Sequence, residues 1–193
     1  MSGNEHKGRR MLLLLALVFL GPMAAAMALY FTGFQWRPEG TTQHGVLFQP
    51  ARSLPDMSMT LLSGNGGSAS LGGKWTLIYI GPGDCAADCR QALVAIRQVR
   101  RALGRDMERV QRLYLVTAGR ADREFLATEH PGIGLAEGEP GAAGLLRVVG
   151  AVLPGDIFLA DPLGNLVMRY PASTAMKGMH QDLQRLLKIS TIG

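Results

Sequence analysis

Lys74-Trp75-Thr76-Leu77-Ile78-Tyr79-Ile80-Gly81-Pro82-Gly83-Asp84-Cys85-Ala86-Ala87-Asp88-Cys89-Arg90 is the stretch on which the reading of this chain turns. Residues 75–80 are aromatic, branched and almost wholly apolar, as in a strand buried on both faces. Gly81-Pro82-Gly83 stops the strand. From Cys89 onward Leu93, Ile96, Val99 and Leu103 recur at helical spacing, with arginines on the opposite face and Gly104 as the stop. Cys85 and Cys89 are the only two cysteines. They fall at the strand-to-helix turn, four residues apart and about one helical turn from each other. That spacing allows a disulfide, or two thiolates on one soft metal ion. The amide end of a helix favours the thiolate that either chemistry needs. A structural disulfide and a pair of inert buried thiols are the bland alternatives.

The amino terminus carries the second signal. His6, Lys7, Arg9 and Arg10 precede residues 11–31, an apolar run without a charge. Such a run can cross a hydrocarbon core of roughly 30 Å. Arg37 is the only nearby basic residue beyond it, so charge asymmetry predicts an inside amino terminus and an exported remainder. A cleavable signal peptide, cut near Ala24-Ala25-Ala26 or Ala26-Met27-Ala28, is the competing reading. Either way the following domain is exported. The expected division is a cytoplasmic leader 1–10, a transmembrane anchor 11–31, a linker 32–53 rich in glycine and proline, and one exported domain 54–193.

The chain has 193 residues and a net charge of +5, part of it in the leader. Arg90, Arg97, Arg100, Arg101, Arg105, Arg109 and Arg112 form a second basic concentration. It reads as a solvated helix face, with docking to anionic lipid or an acidic partner as the alternative. No nucleic-acid module and no small-molecule site is evident.

Within the exported part a short hairpin is expected around residues 54–71. Residues 113–117 read as a second buried strand and residues 123–128 as a short helix. Residues 132–144 are glycine-rich and carry no clear pattern. Residues 156–161 and 166–170 flank Pro162-Leu163-Gly164-Asn165 as a hairpin, and Met176, Met179, Leu183, Leu186 and Leu187 mark a closing helix. The order predicts a central mixed sheet sandwiched by helices, with the cysteines after its first main strand. That is a thioredoxin-like α/β plan, preceded by one transmembrane helix.

Leu54-Pro55-Asp56, residues 73–79, the Cys85/Cys89 spacing and residues 157–165 together resemble the Sco/SenC family over residues 54–187. The resemblance implies a membrane-anchored, thioredoxin-like periplasmic protein that helps assemble the copper centre of a cytochrome oxidase. Its partners would be an oxidase subunit or that subunit's assembly factors. It assigns Cys85 and Cys89 both redox catalysis and copper binding. Two departures stand out. Family members have proline after each cysteine, where this chain has Ala86 and Arg90. They also carry a copper-binding histidine before the strand matching residues 157–160, where this chain reads Gly150-Ala151-Val152-Leu153-Pro154-Gly155.

The third copper ligand is therefore open. His6 lies on the wrong side of the membrane. His44 reads as a linker residue, His130 as a loop residue and His180 as the outer side of the last helix. Met57, Met59, Met168, Met176 and Met179 are soft donors at positions that core packing explains. Pro154 stands near the place of the thioredoxin cis-proline, but reads as an ordinary trans turn. Thiol exchange needs no third ligand and is the leading role, with transient copper handling beside it. An exported oxidoreductase without oxidase specificity, and an interaction protein with a structural disulfide, are the other readings. Pro82 occupies the place of a peroxiredoxin Thr or Ser, and the pair is one residue wider than C-x-x-C.

Overall fold

The computed structural model describes residues 3–31, 42–55, 58–62, 68–137 and 139–192. Two compact units emerge, residues 1–41 and 42–193. The first contains one helix, α1 (Gly3–Phe31), which continues through Pro22. Its segment Lys7–Phe31 is long and apolar enough to cross a membrane.

The second unit is built on one eight-stranded sheet in the order β1-β8-β7-β4-β5-β6-β2-β3. Its strands are β1 (Val46–Ser53), β2 (Ser58–Leu62), β3 (Ser68–Ser70), β4 (Trp75–Gly81), β5 (Val110–Val116), β6 (Ile133–Glu137), β7 (Ile157–Ala160) and β8 (Asn165–Tyr170). Helices α2 (Ala87–Ala102), α3 (Arg123–Glu129), α4 (Glu139–Val149) and α5 (Met176–Ile189) complete it. β4, β5 and β6 run parallel, while β7 is antiparallel to β4 and to β8. This is the expected mixed sheet.

Every residue of β4 is buried, because helices cover both faces of the sheet. Leu77 and Tyr79 point into a core with Leu93 and Ile96 of α2 and Met179 and Leu183 of α5. Ile78 and Ile80 point the other way, into a core with Leu145 and Val149 of α4. Strand alternation alone sends neighbouring side chains into the two layers.

Three features depart from the pattern reading. Part of the stretch assigned to the linker, residues 46–53, is β1, paired with β8. All of β1 except Phe48 is exposed, so no buried alternation marks it in the sequence. It tolerates Pro50 because it is an edge strand. Residues 132–144, which carried no pattern, hold β6 and the start of α4. Gly134 dilutes the strand signal there, yet a Cβ at that position would overlap the side chain of Met59. Finally, the arginine cluster is not uniformly solvated: Arg112 is only 4 % exposed. Of the methionines weighed above, Met59, Met168 and Met179 are buried, Met176 is exposed, and Met57 lies outside the described residues.

Candidate redox and metal site

β4 ends at Gly81 and α2 starts at Ala87, and the five residues between them form the turn that carries Cys85. The turn is tied to the loop after β5: Thr117 N–H donates to Gly81 O at 3.0 Å, and Gly83 N–H to Ala118 O at 2.8 Å. A Cβ at Gly83 would run into the Arg120 backbone, so the two loops touch where only glycine fits. Cys85 itself has φ +41°, a left-handed conformation that non-glycine residues rarely adopt. Arg90 supports it, donating from Nε to Cys85 O at 3.2 Å while its guanidinium covers the Phe125 ring.

Cys85 and Cys89 are joined as a disulfide, with their Cα atoms 5.0 Å apart. Both are buried, at 5 % and 2 % exposure. This differs from the accessibility that a helix start suggests, because the preceding turn and the core below close over the sulfurs. Cys89 nevertheless forms part of the wall of a cleft of about 510 Å³, with Tyr79, Val152, Leu153 and Pro154 among its other lining residues. The Leu153–Pro154 bond is trans; Gln49–Pro50 is the one cis bond among the described residues.

Two tyrosines that pattern reading passed over belong to this site. Tyr79 and Tyr114 are direct neighbours in the parallel β4–β5 register, with ring centroids 5.5 Å apart. Tyr114 Oη lies 3.7 Å from Cys89 Sγ and donates its hydrogen bond to Pro82 O. Burial raises the pKa of both phenols, and the Asp88 and Asp84 carboxylates add to the rise at Tyr79. Both therefore stay protonated, and Tyr114 serves as a donor. Equal distances from the ends of two adjoining parallel strands were the only trace of this pair in the sequence.

The histidines do not join the cysteines. His44 Nδ1 is 3.0 Å from Asp182 Oδ1, and the His44 and Gly45 amides both donate to Asp182 Oδ2. His180 Nε2 is 3.2 Å from Ala102 O. His130 is 1 % exposed, packs edge-on against Phe125, and neither ring nitrogen has a partner among the described residues. Burial, then the Arg97 and Arg112 charges, push its pKa down to about 4. No group of three or more His, Cys, Asp or Glu side chains among the described residues is placed to hold a metal. Once reduced, the cysteine pair has the donors for a two-thiolate Cu(I) complex. A thiolate–imidazole Cu(II) centre does not fit these residues.

Residues 75–190 match the family model described as "Transmembrane-like, thioredoxin-like, C-terminal domain". The chain belongs to this transmembrane-like, thioredoxin-like family. Residues 4–33 match the companion "Transmembrane-like, N-terminal domain", which accords with α1 as a single membrane anchor. No curated protein sequence matches the chain. Among solved structures, this family member is similar to apo Sco1 from Thermus thermophilus, at 21 % identity over 78 % of this chain and 99 % of that one, with a TM-score of 0.58. Copper-bound yeast Sco1 gives 18 % identity over 72 % and 95 %, with a TM-score of 0.59. The thioredoxin domain of a Bacteroides vulgatus thiol-disulfide oxidoreductase gives 17 % over 71 % and 97 %, at 0.54. At these identities the likeness is one of fold, and it bears out the thioredoxin-like architecture with Sco/SenC proteins as structural neighbours.

Proposed function

We propose that this protein is a membrane-anchored thiol–disulfide assembly factor that acts on a respiratory oxidase subunit, with its amino terminus in the cytoplasm and its thioredoxin-like domain in the periplasm. The observation that carries this reading is the Cys85–Cys89 disulfide at the start of α2, with Cys89 in the wall of an open cleft. The basic leader and the uncharged run 11–31 support the orientation. We keep the division into leader 1–10, anchor 11–31, a tether beyond it and one exported domain, with β1 added to that domain.

In the reductive direction the reduced pair acts on a partner disulfide. A thiolate of the pair attacks one partner sulfur, the partner's S–S bond breaks, and the electron pair leaves on its other sulfur. The second cysteine of the pair then attacks the mixed disulfide, closing Cys85–Cys89 and releasing a partner dithiol. The freed dithiol is the form that takes up copper. The same reduced pair can hold Cu(I) in passage, which is how copper enters this reading as cargo.

A second reading has its own observation: both sulfurs are nearly fully buried, as in an interaction protein whose disulfide only braces the turn. Oxidase assembly in cells carrying Cys85→Ser/Cys89→Ser separates the two. Loss of assembled oxidase with normal levels of the folded variant is expected. Normal assembly would overturn the redox role and leave the bracing one. If other periplasmic disulfides accumulate as well, the activity is that of a general oxidoreductase.

A further inference from the structure

The end of the domain remote from the cysteines is basic, and two apolar side chains stand out from it. Arg101 and Arg105 close the far end of α2 and the 3₁₀ turn after it, while Arg185 and Lys188 lie in the last turns of α5. All four are exposed. Arg109 binds these elements together, donating to Leu187 O at 3.0 Å and Ser190 O at 2.6 Å. The acidic residues of the turn are already met: Asp106 by Arg109 at 3.2 Å and Glu108 by Arg100 at 3.4 Å. Ile189 and Ile192 are 79 % and 51 % exposed beside them. Exposed isoleucines at the same end as exposed cations that have no ion-pair partner among the described residues are poorly placed in free water and well placed at a lipid headgroup boundary.

The chain also enters the domain here. Arg185 donates to Thr42 O, and two residues later the His44 and Gly45 amides are held by Asp182, so residues 42–45 run along α5 from its basic end. At most ~40 Å of chain joins Phe31 to Thr42, so with α1 anchored every face of the domain meets the bilayer at high effective concentration.

We infer that the α2–α5 basic end, centred on Arg101, Arg105, Lys188, Ile189 and Ile192, docks on anionic phospholipid headgroups and stands the domain upright on the membrane. The inference rests on the anchored reading but not on the thiol chemistry. The length of α2, about 24 Å at 1.5 Å per residue, then separates the headgroups from the disulfide at its other end. A partner would meet Cys89 at a set height above the bilayer, facing away from it.

The test uses the full chain in nanodiscs of phosphatidylcholine alone and of phosphatidylcholine with phosphatidylglycerol. Hydrogen exchange is followed at residues 101–109 and 185–192. Slower exchange on the anionic discs is expected, relieved by added salt and by Arg101→Glu/Arg105→Glu/Lys188→Glu. Each removed cation should weaken docking about fivefold. Ile189→Ser/Ile192→Ser is expected to relieve the protection without altering the salt dependence. Equal exchange on both lipids, with the chain still embedded, would overturn the inference while sparing the anchor. Protection that appears only when acidic membrane proteins are supplied would also overturn it, in favour of a protein partner. Release of the chain from both discs by alkaline carbonate would sink the anchor and the docking together.

Discussion

The phenol oxygen of Tyr114 lies 3.7 Å from Cys89 Sγ while its proton is given to Pro82 O. One donor thus stands between the carbonyl of the cysteine turn and the sulfur that lines the cleft. In the oxidised protein the carbonyl is the better acceptor. In the reduced protein a Cys89 thiolate becomes the stronger one, since a charged acceptor roughly doubles the bond.

Tyr114→Phe is accordingly expected to lower the stability of the oxidised protein by about 1 kcal/mol, measured by urea unfolding. It should also make the disulfide harder to reduce, because the reduced state, with a charged acceptor, gains more from the phenol than the oxidised state does. A shift of roughly tenfold in the exchange constant with dithiothreitol, or about 30 mV, is the expected size. An unchanged constant would show that the phenol serves the turn alone.

His130 should make stability depend on acid. Its folded pKa, about 4, lies below the ordinary 6.5, so the unfolded chain binds the extra proton first as pH falls. The associated stability is present above about pH 6.5 and is lost as pH falls towards 4, to the extent of roughly 2–3 kcal/mol. Unfolding curves of His130→Leu should be flatter than wild type across that window. Parallel curves would mean that the ring is solvated.

Gly83→Ala places a methyl group against the Arg120 backbone, which cannot swing aside as a side chain can. A loss of about 1–3 kcal/mol is expected, with the Cys85 turn displaced. Faster reduction of the disulfide by dithiothreitol would report that displacement directly.

Cys85→Ser/Cys89→Ser removes a bridge between residues only four apart, so loop entropy limits its contribution to about 2 kcal/mol. The variant should stay folded by circular dichroism. The reduced wild type is expected to bind one Cu(I), and either single serine variant none. A strong thiolate-to-Cu(II) absorption band in the wild type would require a nitrogen donor that the fold does not bring to the pair.

Read alone, the residues were enough for the long apolar helix α1, the buried strand 75–80, the amphipathic α2 and α5, and the cysteine pair, because each is written in composition or in a period of two or 3.6 residues. The β7–β8 hairpin was equally legible from its turn residues. Contacts between distant segments were not. β1 has no buried face and exists because β8 offers it a ladder, and β6 is a strand because β5 and β2 close on either side of Gly134. The site divides in the same way. Spacing placed Cys85 and Cys89 together, but only the tertiary structure sent His44 to Asp182, buried His130 beside Phe125 and brought Tyr114 to Cys89. Local periodicity is fixed by the backbone's own geometry, whereas these partners are chosen by how the sheet's layers pack, and no short window of residues contains that choice.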